Sequence, residues 1–202
     1  MRALMVLSLV FAFPATALAQ ASAKVGEKAP AFELTGIDGK THTLASAKGK
    51  LVVLEWFNPD CPFVKRVYDE GPMKAVQAAH LAAGGVWLSI NSGGTGKQGH
   101  GKARNAEAAK AWKMAHPVLL DENGTVGKTY GATRTPEVLV IDPDGKLVYQ
   151  GAFDNTGGGG YDGKSPVIAY LTDALAAVRA GKPVPVGQTK PWGCSVKYQA
   201  PK

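Results

Sequence analysis

The chain has 202 residues, 45% of them hydrophobic, and a formal charge of +7 at pH 7. That is about one domain with enough apolar material for a sizeable core, and beyond the N-terminus no stretch is long and apolar enough for a transmembrane helix. Lys and Arg are spread along the chain, which reads as solvated surface and, for an exported protein, sets nucleic acid aside as a partner; a mild preference for anionic surfaces stays open.

Export is read from the N-terminus. Residues 1–19 carry Arg2, an apolar stretch from Ala3 to Phe13, and Ala17-Leu18-Ala19 before Gln20. A basic start, a short apolar centre and an A-x-A site form a secretory signal peptide, so the mature chain is expected to begin near Gln20 in an oxidising compartment, a bacterial periplasm. The chain has two cysteines, so a single pairing is open, Cys61 with Cys194.

From Ala29 to Thr35 and from Thr41 to Leu44, two alternating segments flank Asp38-Gly39-Lys40, the signature of a hairpin. Leu51 to Phe57 is an apolar, β-branched strand. A helix is expected from Pro62 to Ala83, punctuated by Gly71-Pro72 and ended by Gly84-Gly85. Val86 to Ile90 reads as a second core strand, Asn91 to Gly101 as a flexible glycine-rich loop, and Ala103 to Ala115 as a helix. His116 to Leu120 is a third strand, and Val126 to Tyr130 a short helix leading to Thr135-Pro136. Glu137 to Ile141, the turn Asp142-Pro143-Asp144-Gly145 and Lys146 to Phe153 form a hairpin. Gly157 to Gly160 is a loop, Val167 to Ala180 a last helix, and residues 183–202 a tail of little periodicity containing Trp192-Gly193-Cys194. This order predicts an α/β fold, a mixed central sheet with helices on both faces and an N-terminal β-hairpin.

Chemistry concentrates where the first core strand gives way to a helix. Asn58-Pro59-Asp60 breaks the strand, and Pro62 suits the first position of a helix, which puts Cys61 at the N-cap. There the positive end of the helix dipole and unpaired backbone donors favour a thiolate, the nucleophilic form. Lys65 adds to that field and Asp60 opposes it. The competing reading is an inert buried cysteine; its position at a helix mouth beside proline argues for the reactive one.

These features resemble the thioredoxin superfamily, in its redoxin branch of AhpC/TSA, peroxiredoxin-like and secreted thiol:disulfide oxidoreductase proteins. The resemblance rests on a Trp-Phe pair ending the strand before the cysteine, the Cys-Pro helix start, Tyr130-Gly131 leading to Thr135-Pro136, and Val138-Leu139-Val140-Ile141-Asp142 with Asp144-Gly145-Lys146. It implies a three-layer thioredoxin-like redoxin domain over 25–182, followed by the 183–202 tail that carries Cys194. It also implies a cis Thr135-Pro136 bond, with Pro136 packed against the active cysteine.

Two places depart from the family pattern. Val64 stands where thioredoxins have their second cysteine, which removes a dithiol cycle inside the motif. Leu54 and Asn58 stand where peroxiredoxins have Pro and Thr or Ser, which takes away the hydroxyl that orients a peroxide. The tail offers a substitute resolving thiol, Cys194, since some secreted redoxins that resemble this chain end in a similar Gly-Cys tail. A Cys61–Cys194 bond would close a loop worth about 5 kcal/mol in the chain-entropy picture, enough for a purely structural staple. Glu55, six residues before Cys61, matches the buried acid of thioredoxins; there a desolvated carboxyl would have a raised pKa and relay protons. The plainer reading has it reaching water or a lysine.

Three functions therefore compete. The first is a periplasmic thiol-disulfide oxidoreductase with Cys61 as nucleophile, Cys194 resolving, and protein thiol or disulfide clients or a periplasmic redox partner. The others are a non-catalytic binding module held by a structural disulfide, and a low-efficiency thiol peroxidase. Asn91 to Gln98 lacks the residues of a phosphate loop, Asp142 to Gly145 those of a calcium loop, and His42, His80, His100 and His116 lack metal-ligand spacing. No cofactor or metal is expected. Phe63, Trp87 and Trp112 read as core aromatics.

Overall fold

The computed structural model describes residues 22–159 and 166–200. The leader expected at 1–19 and the end of the loop expected at 157–160 lie outside these.

Nine strands and five α-helices follow the order β1 (Glu33–Gly36), β2 (Thr41–Thr43), β3 (Val52–Trp56), α1 (Pro62–Asp69), α2 (Met73–Ala82), β4 (Val86–Asn91), α3 (Lys102–Ala111), β5 (Val118–Leu120), α4 (Thr125–Thr129), β6 (Arg134–Thr135), β7 (Glu137–Ile141), β8 (Leu147–Gly151), α5 (Tyr170–Arg179) and β9 (Cys194–Ser195) among the described residues. Seven strands form one mixed sheet in the order β2-β1-β5-β4-β3-β7-β8. β3 runs parallel to β4 and antiparallel to β7, and all five residues of this central strand are buried.

The period of two along β3 divides the core. Val53 and Phe57 point to one face, where they pack with Val64, Val67 and Tyr68 of α1, Ala108 of α3 and Leu171, Ala174 and Leu175 of α5. Val52, Leu54 and Trp56 point to the other, packing with Phe32, Val126 of α4 and Tyr130. Helices thus cover both faces, the second mainly through α4 and the N-terminal segment.

Several boundaries differ from the sequence expectation, among them the start of α5 at Tyr170 rather than Val167. The long helix is two: Pro72 has no N–H to donate and disfavours helical backbone before it, so α1 closes at Asp69 and Pro72 becomes the N-cap of α2. The third helix stops at Ala111, with Lys113 at a positive φ of 54°, and His116 lies before β5 rather than in it. The tail also holds a strand: β9 pairs antiparallel with β6, with Thr135 opposite Cys194 and Arg134 opposite Ser195.

Candidate functional site

Cys61 caps α1 with extended backbone (φ −73°, ψ 122°) and Pro62 at the first helical position. The loop before it is braced from several sides. Asn58 accepts the Asp60 N–H at 2.9 Å and donates through Nδ2 to the Gln98 carbonyl at 3.3 Å, while Gln98 Nε2 donates to the Asp60 carbonyl at 3.1 Å. Both ends of the Asn58 amide are therefore occupied in holding the loop. The segment expected as a free loop is part of that scaffold: Asn91 and Asn105 both donate to the Gly99 carbonyl, at 2.8 and 2.9 Å. Asp60, expected to oppose a thiolate, is paired with Arg104, whose Nη2 and Nε lie 2.7 and 2.8 Å from Oδ1. Its charge is thus largely compensated from α3.

The Thr135-Pro136 bond is cis, and Cys61 Sγ donates to the Thr135 carbonyl at 3.1 Å. Because Thr135 faces Cys194 in the short ladder, both cysteines meet at this one residue. Both are free thiols in hydrogen-bonding contact. Cys61 is fully buried and Cys194 half-buried.

The two thiols are driven apart electrostatically. Burial works to raise Cys61, but it is outweighed by hydrogen bonding from the Cys194 thiol and the Thr135 hydroxyl, and by the N–H groups of Val64 and Cys194. The result lies below the ordinary cysteine value. The Thr135 hydroxyl is otherwise buried without a partner, so a thiolate gives it one. Cys194 moves the other way, to about 11, through burial and then its hydrogen bond to, and repulsion from, the Cys61 sulfur.

The tail reaches the helix mouth by side-chain docking that its composition did not reveal. Trp192 lies against Phe63 of α1, ring centroids 6.3 Å apart, and its Nε1 donates to the Asp154 carbonyl at 2.8 Å. Beyond Cys194, the Val196 N–H bonds the Thr133 carbonyl at 3.1 Å and Tyr198 Oη donates to the Ala132 carbonyl at 2.8 Å. Gly193, at φ 112°, lets the backbone approach: a Cβ there would stand 2.1 Å from the Thr135 oxygen.

Glu55 is fully buried, away from bulk solvent, and no lysine among the described residues bonds it. Its carboxylate accepts from Tyr68 Oη (2.9 Å), Gln77 Nε2 (3.2 Å), Trp87 Nε1 (2.9 Å) and Ser89 Oγ (2.9 Å). Desolvation raises its pKa, and the four donors oppose that without cancelling it. None of these bonds goes to a cysteine. Glu55 shares the α1 face of β3 with Phe57.

The AhpC/TSA family model matches residues 25–150. The chain belongs to the AhpC/TSA family. It is a redoxin-type oxidoreductase with a thioredoxin-like fold. A thiol-disulfide oxidoreductase, ResA, of Bacillus thuringiensis subsp. konkukian is 26% identical over 134 residues, 63% of this chain and 69% of the relative. An uncharacterized conserved protein from Geobacillus kaustophilus superposes with a TM-score of 0.77 at 30% identity, covering 89% of this chain and 94% of that one. A hypothetical protein from Sinorhizobium meliloti gives 0.75 at 27% identity, covering 90% and 98%. In both structures the likeness extends over more of the chain than the family model does.

Sequence reasoning picked out Cys61, Cys194, Pro136 and Glu55, and the structure brings the first three together with Glu55 behind them. It missed Arg104, Gln98 and Trp192, whose roles depend on contacts between distant segments. It also set His116 aside as a lone histidine, although His116 belongs to the hydrogen-bonded group around Glu55.

Proposed function

We propose that the chain is an exported thiol-disulfide oxidoreductase in which Cys61 is the nucleophile, Cys194 the resolving thiol, and Glu55 the buried carboxyl that takes up or releases a proton as charge moves on sulfur. The observation that carries this reading is the meeting of the helix N-cap thiol of Cys61 with the tail thiol of Cys194 at Thr135, with hydrogen bonding favouring ionisation of Cys61 over Cys194. The ResA relatives support the reaction class, and the leader-like pattern of residues 1–19 supports export to the periplasm.

In the reducing direction the Cys61 thiolate attacks one sulfur of a client protein disulfide. The client S–S bond breaks, one client thiolate leaves and takes a proton, and Cys61 is joined to the other sulfur. Joining removes the negative charge and the hydrogen-bonding partner that held the Cys194 proton in place, so Cys194 becomes easier to ionise when it is needed. Its thiolate attacks the Cys61 sulfur, forms the Cys61–Cys194 bond and expels the second client thiolate. Two electrons have then passed to the client, and a dithiol redox partner returns them by the same exchange. Run backwards, the sequence oxidises clients. Pro136 shapes the turn that aims the Thr135 carbonyl at Cys61.

The test is non-reducing electrophoresis of periplasmic extracts. With Cys194→Ser, Cys61 should accumulate as mixed disulfides with clients, and with Cys61→Ser these should vanish. Equal destabilisation by both substitutions, with no Cys61-dependent adducts, would overturn the reading in favour of a structural staple.

A further inference from the structure

Glu55 is sealed beneath the sheet, and the tail closes the front of the site over Cys61. A carboxyl that changes protonation while shut off from solvent needs a chain of groups that can carry the proton. One chain of groups leads away from it. Ser89 Oγ lies 2.9 Å from Glu55 Oε2 and, on its other side, 2.9 Å from His116 Nε2. The sheet register dictates this line, since Ser89 is opposite Glu55 in the β3–β4 pair and opposite Val118 in the β4–β5 pair.

His116 in turn lines a cavity of about 200 Å³ together with Trp87, His42 and Leu81, bounded by the exposed Ser46 and Ala115. The cavity opens beside Val86 and Trp87, where β4 begins. Cys61 follows the far end of β3, which runs parallel to β4. The two openings are therefore at opposite ends of the sheet. The remaining nitrogen, His116 Nδ1, is buried and has no partner among the described residues. The cavity is lined mainly by apolar groups, with His42, Ser46 and His116 as its polar side chains, and the unsatisfied nitrogen gives water a partner there.

We propose that Ser89 and His116 form a proton wire that connects Glu55 to solvent through this rear cavity, separate from the face where the thiols react. The inference rests on the reading of Glu55 as the proton-exchanging group of the redox cycle. Ser89 and His116 are positioning residues, since neither touches sulfur.

The hydrogen bonds are consistent in both states. With Glu55 ionised, Ser89 donates to it and accepts from His116 Nε2–H, leaving Nδ1 as an acceptor. A proton arriving at Nδ1 lets the Nε2 proton pass to Ser89 Oγ and the Ser89 proton pass to Glu55. The carboxyl is then neutral and donates to Ser89, Ser89 donates to Nε2, and the imidazole carries its proton on Nδ1. One proton enters, each bridging atom gives up one and receives one, and the imidazole is neutral at both ends. Burial favours that neutral ring, holding His116 down to about 4. The other titratable groups nearby are Tyr68, which donates to Glu55 from α1, and His42 across the cavity, held by Asp38. Tyr68 is pushed well above its ordinary range, first by burial, so it is a fixed donor and no competitor for the proton.

Time-resolved infrared spectroscopy after a pH jump reads the protonation of Glu55 from its carboxyl band, assigned by its loss in Glu55→Gln. Ser89→Ala and His116→Ala, checked by thermal melts, should each slow the relaxation by about tenfold or more. Imidazole added to the buffer should restore the rate in His116→Ala and leave Ser89→Ala slow. A wild-type relaxation rate in either variant overturns the wire, as does a slow His116→Ala that imidazole does not accelerate. Client reduction by Cys61→Ser is measured separately: its persistence would remove the redox reading while leaving the infrared result as it stands.

Discussion

Cys194 stands opposite Thr135 in the β6–β9 ladder, and the Thr135 carbonyl is the acceptor of the Cys61 thiol proton. One residue therefore sets the geometry of both sulfurs, through its main chain towards the tail and through its carbonyl and hydroxyl towards the helix mouth. A strand only two residues long gains little from its own backbone bonds. The docking of Trp192 and Tyr198 on either side keeps it in register.

The first prediction concerns the source of Cys61 reactivity. Burial raises this thiol, and hydrogen bonding from Cys194 leads the effects that bring it down. Cys194→Ala should therefore move the alkylation midpoint of Cys61 up by about one pH unit, equivalent to about 1.4 kcal/mol of lost thiolate stabilisation. The measurement is the pH profile of iodoacetamide labelling, read by mass spectrometry. An unmoved midpoint would mean that the helix mouth alone sets the thiol.

Arg104 tests the second electrostatic element. Removing the guanidinium in Arg104→Ala frees the Asp60 carboxylate next to the helix N-cap, where negative charge disfavours a thiolate. Both partners are about a third exposed, so the effect is screened: a rise of a few tenths of a pH unit at Cys61 and a stability loss under about 1 kcal/mol. Added salt should shrink the difference between variant and wild type. A salt-independent difference would assign the role of Arg104 to packing.

Glu55 gives a prediction in stability against pH. Its value in the fold lies above its ordinary 4.5, so the native state holds the proton more tightly than the unfolded chain does. The stabilisation from this group is complete below pH 4.5 and is lost as pH rises through the raised value. His116 works in the opposite sense: lowered by burial from 6.5 to about 4, it contributes stability above pH 6.5 that is lost as pH falls towards 4. The opposing slopes hide one another in the wild type. Melting Glu55→Gln beside it isolates the carboxyl: the variant should gain relative stability as pH rises above 4.5, and parallel curves would show that Glu55 does not titrate differently on folding.

What could be read from sequence was what is local. A β-branched run, an Asn-Pro-Asp break and a Pro at the first helical position place Cys61 at an N-cap with no knowledge of the rest of the chain. Asp38-Gly39 and Asp144-Gly145 mark their hairpins because those turns need the glycine φ. The single-helix expectation failed because an Ala-rich pattern outweighed Gly71-Pro72, where the steric rule of proline decides. Gln98, Arg104 and the Ser89–His116 pair were not visible. Each matters only through a partner more than 25 residues away, at Asp60 or at one another, and a loop glutamine or a lone histidine carries no sign of such a partner.

The last prediction isolates the approach of the tail. Gly193 has a φ of 112°, and a Cβ on it would stand 2.1 Å from the Thr135 carbonyl oxygen, a backbone atom that cannot swing aside. Gly193→Ala must therefore push the Trp192-Gly193-Cys194 turn off β6 and carry the Cys194 thiol away from Cys61. Strain from the positive φ accompanies the clash, and Gly181→Ala controls for it: Gly181 sits at φ 64° with nothing within 4 Å of its Cβ position. Trp192 and Tyr198 still anchor the two sides of the turn, so the variant should lose modest stability, about 1–3 kcal/mol. Its larger effect should be kinetic. With the resolving sulfur displaced, the mixed disulfide on Cys61 should persist on the order of tenfold longer, since a misplaced reacting group loses that much from geometry alone. The rate is measured by forming the adduct of Cys61 with a thiol-reactive chromogenic disulfide and following release of the second thiol. If Gly193→Ala and Gly181→Ala resolve the adduct equally fast, close seating of the tail against Thr135 is not what delivers Cys194 to its target.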